Sequence, residues 1–348
     1  MGEPLLRDGL LLGIGSPLLD LSANMDEDFL LKYDLKANDA ILAEEKHLPM
    51  YEELANSPDV TYIVGGSCQN TMRVAQWIVK RQNTVAFMGS VGKDKFGKIL
   101  ENKAKEAGVL VAYQIHDTVP TGTCAVVITD NGHNRSLCAH LCASKHFTVD
   151  FFLQPESQKL INNARFFYIS GFFLPVSPES VMYIAKHACR NDKYFCMNLS
   201  APYLCHFYKE PMLKALPFVD ILFSNNQEAL AFADEHLFGT DDIEDIALRI
   251  KNFPKENKSR SRIVIVTQGR GPVICATENG IMHYPVVNLT QEEIVDTNGA
   301  GDAFVGGFLA QFIQGKGLDI CIRCGIYAAT EVIKQSGCSF PKHPNFST

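Results

Sequence analysis

The sequence predicts an α/β three-layer sandwich, in which helices cover a mainly parallel, Rossmann-like sheet and a small β-sheet forms a lid. Two observations carry this prediction. Short apolar runs alternate with longer segments of helical period over most of the 348 residues, a pattern typical of βαβ units. Two stretches, at about 20–64 and about 118–141, lack that alternation, and the second is rich in β-branched residues.

Individual elements follow from the spacing of the apolar residues. Strands are predicted at residues 10–12, 85–88, 166–169, 195–199, 219–223 and 262–267. Helices are predicted after Asp94 as far as Gly108, at 180–190, at 227–236 and after Asp302. The run IVIV at 263–266 is typical of a parallel strand that is covered on both faces.

The two irregular stretches predict a division into two domains. We assign residues 1–16, 65–117 and 142–348 to a large α/β nucleotide-binding domain, and residues 17–64 and 118–141 to a small lid domain. The second lid stretch holds the run TGTCAVVIT at 121–129 and then the turn signal DNG at 130–132. A small sheet of this kind is expected to fold over a cleft.

The composition argues against several classes of protein. With 32 Lys and Arg against 39 Asp and Glu, the formal charge is −7, whereas a nucleic-acid-binding protein usually carries a basic face. No apolar stretch is long enough to cross a bilayer, so we expect no membrane association. Eleven cysteines without a regular framework favour a reducing compartment, and we expect a cytoplasmic location, with the nucleus left open.

Two local patterns receive a structural interpretation. The basic segment KENKSRSR at 255–262 precedes an apolar run, and we interpret it as a solvated loop. The cysteine groups CIRC at 321–324 and CAHLC at 138–142 lack a second ligand pair at metal-site spacing, and we interpret them as core residues.

The strongest chemical signal is the run DTNGAGD at 296–302, which precedes apolar residues of helical period. Backbone N–H groups at a helix N-terminus are unpaired and point outward, and the glycines let an anion approach them closely. Asp302 follows in the first turn, where the helix end is expected to keep it ionised. An anion-binding loop that ends in a carboxylate suits phosphoryl transfer, which needs charge stabilisation and a weak base.

Two alternatives concern the identity of the catalytic base and the kind of nucleotide that binds. Asp296 is the competing base, but its position before the glycines favours a role as a loop anchor. The chain has no GxxxxGK[ST] motif, so it is not a P-loop enzyme. The pair Gly13 and Gly15 begins like a dinucleotide fingerprint, but Leu18 replaces the third glycine, and an oxidoreductase is the least favoured class.

Three motifs together resemble those of the ribokinase-like carbohydrate and nucleoside kinases. They are DTNGAGD at 296–302, the di-glycine motif GGSCQN at 65–70 and the N-x-x-E motif NNQE at 225–228, in the family's order. Within the family the chain looks like the members that phosphorylate adenosine. The resemblance runs over nearly the whole chain and implies a ribokinase-like fold, with ATP and adenosine as substrates, Mg²⁺ as cofactor and a monomeric enzyme.

Carried over by position, the resemblance also implies a nucleoside site. Asp20 would hold the ribose hydroxyls, helped by Gly66 and Asn70, and Phe172 would stack on the adenine. The other implied substrate contacts are Ser16, Leu18, Leu42, Ser67, Leu137, Ala139 and Asn298. Ser16 and Ala40 depart from the family's pattern, which has Asn and Gln there, and this concerns base selectivity more than catalysis.

The same resemblance implies the groups that act on ATP. Asp302 would deprotonate the 5′-hydroxyl, Arg135 would clamp the transferring phosphoryl group, and the backbone of Gly299, Ala300 and Gly301 would hold the charge. The implied ATP contacts are Asn225, Thr267, Gly269 and Asn298, and the implied, indirect magnesium contacts are Asn225 and Glu228. The alternatives are a related kinase for a sugar or another nucleoside, and a non-catalytic nucleoside-binding regulator.

Overall fold

The computed structural model describes residues 5–37, 39–130 and 134–347, without the side chain of Ala40. Its strands are β1 (Leu11–Ile14), β2 (Leu18–Asn24), β3 (Ala40–Leu42), β4 (Thr61–Gly65), β5 (Val85–Gly92), β6 (Leu110–His116), β7 (Thr123–Thr129), β8 (Asn134–His140), β9 (Phe166–Ile169), β10 (Tyr194–Asn198), β11 (Ile221–Asn225), β12 (Ile263–Gln268), β13 (Gly271–Thr277) and β14 (Gly280–Tyr284). Its α-helices are α1 (Glu27–Lys32), α2 (Leu48–Ala55), α3 (Ser67–Val79), α4 (Lys95–Glu106), α5 (Pro155–Asn163), α6 (Pro178–Arg190), α7 (Pro202–Phe207), α8 (Lys209–Ala215), α9 (Asn226–Glu235), α10 (Ile243–Lys251), α11 (Ala300–Phe312) and α12 (Leu318–Ile333).

Nine of the described strands form one large sheet in the order β14-β13-β12-β11-β10-β9-β1-β5-β6. Pairing is parallel from β12 to β6, and β13 and β14 join antiparallel at one edge. The parallel strands read as continuous apolar runs because helices cover both of their faces. Strands β5 and β9 are buried along their full length.

An apolar core lies on each face of this sheet. One core packs residues of α5, α6, α8, α9 and α10 against the strands, and the other packs α3, α11 and α12. Helices, sheet and helices therefore form three layers, and the predicted three-layer α/β sandwich is confirmed. The predicted strand and helix positions agree with the structure to within a few residues.

A second, five-stranded sheet has the order β3-β8-β7-β2-β4. It is mixed, since β2–β7 and β3–β8 are parallel pairs and the other two pairs are antiparallel. All five strands come from the two stretches that lacked a strand–helix alternation, apart from Gly65 at the end of β4. The domain boundaries assigned above stay a prediction, and the turn at 130–132 lies largely outside the described residues.

Local sequence explains where the helices begin. The Asp94 side chain caps α4 by accepting the backbone N–H of Gly97 at 2.8 Å. Proline occupies the first turn of α5, α6 and α7, where no intrahelical N–H bond is lost. No helix in the described ranges has both the length and the apolar character of a membrane span.

The segment that follows α12 folds back onto α3. The ring of Phe340 stacks on Trp77 with centroids 4.9 Å apart, and Tyr327 stacks on the same indole at 5.9 Å. Arg73, one turn earlier on α3, lies 5.3 Å from the centroid of the Phe340 ring and donates to the carbonyl of Cys338 at 3.2 Å. This C-terminal segment, residues 334–347, is therefore attached to the layer of α3, α11 and α12, with Cys338 buried in the core there and Phe340 and Phe346 packed against that core.

The interpretation of residues 255–262 as a solvated loop is correct for Lys258. It is wrong for Lys255, Arg260 and Arg262, which are buried or nearly buried. Arg262 is 1% exposed and donates hydrogen bonds to six backbone carbonyls of neighbouring loops and helix ends. Lys255 and Arg260 both pair with the buried Asp220. The core interpretation is confirmed for Cys138, Cys321 and Cys324, which are buried free thiols, whereas Cys142 is only partly buried.

Candidate active site

The candidate site lies where the central parallel strands end. Ser16, Phe172, Asn225 and Thr267 lie at or just after the carboxyl ends of β1, β9, β11 and β12. In open α/β sheets, ligands bind in the crevice beyond these strand ends. Here the chain also leaves β1 to enter β2, so the small sheet begins at the edge of this crevice.

The glycine-rich run forms the anion loop, residues 296–301, at the N-terminus of α11. Gly299 caps the helix with φ of +77°, a left-handed conformation that favours glycine. A Cβ on Gly299 would come 2.8 Å from the Cβ of Cys338, whereas a Cβ on Gly301 would meet open space. The loop is therefore packed on one side and open toward the cleft on the other, with the helix N–H groups available to an anion.

Asp302 lies in the first turn of α11 and faces α3. The hydroxyl of Ser67 donates to its Oδ1 at 2.6 Å, and the amide of Asn70 donates to its Oδ2 at 3.1 Å. Burial raises the pKa of Asp302 to about 6, and these two neutral donors only partly oppose that rise. The predicted ionised carboxylate is thus the main form above about pH 6, and below that pH the group is protonated.

The structure places Ser67 and Asn70 on Asp302, although the resemblance implies that they contact the nucleoside. The Oδ1 atom of Asn70 is buried without a hydrogen-bond partner in the described part of the chain, as is the hydroxyl of Ser16. Both atoms are able to take up a ligand hydroxyl. Their assignment to the nucleoside stays a prediction.

Strand register brings the other implied nucleoside contacts onto one face of the small sheet. Asp20 pairs with Cys124, Cys124 with Ala139, and Ala139 with Leu42. Partners in register point to the same face, and residues two apart on a strand share it. The set on this cleft-facing side is Leu18, Asp20, Leu42, Arg135, Leu137 and Ala139.

Asp20 lies close to Asp302 in spite of its place on the other sheet. The pKa of Asp20 is raised to about 7, mainly by burial and then by the charge of Asp302, with a smaller contribution from Asp296, while the buried guanidinium of Arg73 opposes the rise. A Cβ on Gly65 would overlap the Asp20 carboxylate, so the glycine there leaves room for it. Asp20 and Asp302 are therefore two neighbouring carboxyl groups that both titrate near neutral pH.

The small sheet also contacts the anion loop directly. The Nε atom of Arg135 lies 3.3 Å from Oδ2 of Asp296, and both side chains are nearly buried. Asp296 accepts the backbone N–H of Asn298 at 2.9 Å and that of Gly337 at 2.8 Å. Its geometry is that of the predicted loop anchor and not of a second base.

Two cavities meet at this loop. The smaller, of about 130 Å³, is lined by Phe172, Asn225, Glu228, Gly299 and Asp302 among others. Phe172 and Leu42 are 38% and 54% exposed, so both apolar side chains are accessible to a ligand.

The larger cavity, of about 270 Å³, lies on the other side of Gly301, which lines both. Thr267, Gly269 and Ala300 also contribute to it. Its apolar walls are Val273, Val286, Val287, Leu289, Ile294, Phe304, Ile326, Ala329 and Ile333. Sequence reasoning missed these walls, because they come from β13, a loop, α11 and α12 and share no local motif.

Asn225 and Glu228 form a capping box at the start of α9. The Asn225 side chain accepts the N–H of Glu228 at 2.8 Å, and the Glu228 carboxylate accepts the N–H of Asn225 at 3.0 Å. Burial raises the pKa of Glu228 to about 7. Both side chains line the smaller cavity with oxygen atoms, which suits Mg²⁺, but their mutual bonds favour contact through water. Among the described residues, no cluster of three or more acidic, His or Cys side chains forms a metal site.

An anion-binding helix end, a carboxyl group beside it and a cavity on either side define a class of enzyme. They are the parts expected of a phosphotransferase that acts on a hydroxyl group, because an acceptor and a phosphoryl donor must meet at a site that stabilises negative charge. The sequence pattern of the pfkB family carbohydrate kinases matches residues 27–345, and the chain belongs to this family. The predicted membership in the ribokinase-like kinases is confirmed.

Relatives and solved structures agree with this family over almost the full length. "Adenosine kinase 1" of Arabidopsis thaliana is 48% identical over 340 residues, which cover 98% of each chain. The adenosine kinase of Schizosaccharomyces pombe is 41% identical over 332 residues, 95% of this chain and 96% of that one. The Anopheles gambiae adenosine kinase in complex with P1,P4-di(adenosine-5) tetraphosphate has a TM-score of 0.92 at 51% identity, covering 98% of this chain and all of that one. The Schistosoma mansoni adenosine kinase in complex with 2-fluoroadenosine has a TM-score of 0.90 at 33% identity, with 97% and 98% coverage.

Proposed function

We propose that this protein transfers the γ-phosphoryl group of ATP to the 5′-hydroxyl of adenosine, giving AMP and ADP. The observation that carries the proposal is the position of Asp302, which lines the smaller cavity beside the anion loop, while Gly301 of that loop lines both this cavity and the larger apolar one. The solved adenosine kinases that share this fold include complexes with adenosine-containing ligands.

Asp302 accepts the proton of the 5′-hydroxyl as that oxygen attacks the γ-phosphorus. Its two hydrogen bonds, from Ser67 and Asn70, hold the carboxylate in a fixed orientation. The backbone N–H groups of Gly299, Ala300 and Gly301 stabilise the charge on the transferring group, because they are oriented before the reaction begins. Positioning supplies most of the rate in this chemistry.

The nucleoside is held between the two sheets. We assign Asp20 to the ribose hydroxyls, since a carboxylate accepts from two neighbouring hydroxyls. Phe172 supports the base from the large domain, and Leu42, Leu137, Ala139 and Leu18 enclose it from the small sheet. Closure of the small sheet excludes water, which would otherwise compete as the acceptor.

The ATP side uses the other cavity. We assign its apolar walls to the adenine of ATP and Thr267, Gly269, Asn298 and Asn225 to its polar groups. Arg135, from the small sheet, neutralises charge on the transferring phosphoryl group. Mg²⁺, held through water near Asn225 and Glu228, would neutralise charge on the ATP phosphates.

The remaining expectations follow from the composition. Eleven free thiols fit a reducing compartment, and we propose the cytoplasm. We also propose that the enzyme acts as a monomer, since both sheets and both cavities are built from one chain.

The decisive experiment measures ADP release with Mg²⁺–ATP and a panel of acceptors: adenosine, other nucleosides, ribose and fructose. The proposal expects turnover with adenosine far above the rest. A preference for a sugar would keep the Asp302 mechanism but refute the nucleoside site. Tight adenosine binding without turnover for any acceptor would instead favour a nucleoside-binding regulator. Heat-treated protein and the Asp302→Asn variant serve as controls for contaminating kinases.

A further inference from the structure

Asp296 lies where three parts of the molecule meet. Its Oδ1 accepts the N–H of Asn298 within the anion loop, and its Oδ2 accepts the N–H of Gly337 in the C-terminal segment. The same Oδ2 lies 3.3 Å from Nε of Arg135, on strand β8 of the small sheet. One carboxylate therefore contacts the loop, the segment behind the loop and the sheet above it.

The contact with Arg135 is withdrawn from solvent. The side chains of Arg135 and Asp296 are 10% and 3% exposed. An exposed ion pair contributes little to stability, because water screens it. Removal of one partner from a buried pair is costly, because the remaining charge has lost both water and its counter-ion. Separation of the small sheet from the loop would break this buried pair.

The anion loop depends on the same carboxylate. Asn298, whose N–H Asp296 accepts, directly precedes the helix-capping Gly299. Gly337 directly precedes Cys338, which packs against Gly299 from behind. A displacement of Asp296 would thus shift the loop and its support together.

We propose that Asp296 is a positioning residue that couples lid closure to the shape of the anion loop. It holds Arg135, and with it the small sheet, next to the loop whose N–H groups it also orients. The guanidinium of Arg135 is then already in place when a phosphoryl group binds. A misplaced guanidinium would lower the rate of phosphoryl transfer. The catalytic role of this coupling rests on the proposed function, whereas the coupling itself can be measured in the absence of turnover.

Two buried thiols allow the coupling to be measured without substrate. Cys124 pairs in register with Asp20 and therefore faces the cleft, where it is 7% exposed. Cys275 on β13 is fully buried in the large sheet and reports on opening of the large domain. Peptide mass spectrometry follows the labelling rate of each thiol by N-ethylmaleimide in the full-length, nucleotide-free protein.

Asp296→Asn and Arg135→Gln are expected to raise the labelling rate of Cys124 by roughly tenfold or more, while Cys275 stays unchanged. Arg135→Gln keeps both backbone bonds of Asp296, so it carries the test if Asp296→Asn does not fold. Asp220→Asn is the matched control, because Asp220 is an equally buried, ion-paired carboxylate within the large domain. This control is expected to raise labelling of Cys275 at least as much as that of Cys124.

The proposal is overturned if Cys124 labelling is unchanged in both variants, or if Cys124 and Cys275 respond equally as in a general loss of stability. A kinetic measurement adds a second condition. Asp296→Asn is expected to raise the ratio of ADP formed without adenosine to ADP formed with it, because a loosened lid admits water, whereas a purely structural anchor would lower both alike. If wild-type protein lacks adenosine-dependent ADP release but the labelling responds as expected, the proposed function fails and the coupling stands.

Discussion

Asp220 and Asp302 are two carboxylates of the large domain that differ in what surrounds them. Asp220 accepts the backbone N–H of Phe195 at 2.9 Å and has two cations, with Lys255 Nζ at 2.7 Å and Arg260 Nε at 2.9 Å. In the described part of the chain, the side chains that donate to Asp302 are the neutral Ser67 and Asn70, and burial raises its pKa to about 6.

The difference separates a structural carboxylate from a reactive one. A buried charge that serves the fold is paired, since an unpaired one is costly. A carboxylate that must accept a proton cannot be strongly paired, because a nearby cation lowers its pKa and weakens it as a base. The site therefore keeps carboxyl groups with raised pKa values, among them Asp302 and Asp20, at a cost in stability that the rest of the fold offsets.

The largest expected effect tests the reactive side of this comparison. Asp302→Asn is expected to lower kcat by about 10³-fold or more, because the general base is lost while Asn keeps the size of the side chain. Steady-state ADP release with adenosine measures the rate, and circular dichroism confirms the fold. A rate like that of the wild type would disprove the assignment of the base.

The structural side is tested at Arg262, a buried arginine whose Nε donates to the carbonyl of Val219, the residue before Asp220. Its guanidinium donates to six backbone carbonyls in all. Arg262→Met is expected to lower the free energy of unfolding by about 3–5 kcal/mol, because several buried carbonyls lose their donors. Urea denaturation measures the loss. Arg323→Met, which removes an exposed i,i+4 pair with Asp319, is the control and should change it by less than about 0.5 kcal/mol. Equal effects of the two substitutions would contradict the buried role.

A smaller effect is expected at Asp20. Asp20→Ala removes the proposed acceptor of the ribose hydroxyls, and we expect the KM for adenosine to rise by roughly 10–100-fold with a smaller change in kcat. Initial rates over a range of adenosine concentrations separate the two constants, and the KM for ATP serves as the internal control. If the KM and kcat for adenosine both stay unchanged, Asp20 does not hold the ribose.

The smallest expected effect concerns stability and pH. Burial raises the folded-state pKa of Asp302 from its ordinary value of 3.8 to about 6, so the folded protein binds the proton more tightly than the unfolded chain. The resulting stabilisation is present below about pH 4 and is lost as the pH rises through 6. Asp302→Asn removes this titration and should raise the free energy of unfolding at pH 8 by about 1–3 kcal/mol relative to wild type, with a smaller difference at pH 5. Denaturant unfolding at the two pH values checks the sign, and a loss of stability at pH 8 would contradict it.

The centre of the large sheet was predictable because β1, β5, β9, β10, β11 and β12 each carry their own apolar signal. The run IVIV at 263–266 lies in β12, and the two irregular stretches form the second sheet. Local motifs also predicted the anion loop and Asp302, because glycines directly before an apolar helix are typical of an anion-binding helix N-terminus.

Contacts between distant segments were not predictable. Ser67 and Asp302 lie 235 residues apart in sequence, and nothing local to either shows that they form a hydrogen bond. Arg73 lies in the middle of α3, where its burial beside Asp20 has no sequence signal. Arg262 looked like part of a charged loop, because a buried arginine that binds only carbonyls has the same sequence pattern as an exposed one.

The packing of the C-terminal segment has a practical consequence. The chain has a single tryptophan, Trp77, whose indole lies between Phe340 and Tyr327 on the same helix as Ser67 and Asn70. Its fluorescence is therefore a built-in optical probe, free of background from other indoles. Emission from this indole would report detachment of the C-terminal segment from α3. Because Cys338 of that segment packs against Gly299, the same emission would allow stopped-flow detection of nucleotide binding at the anion loop without any attached dye.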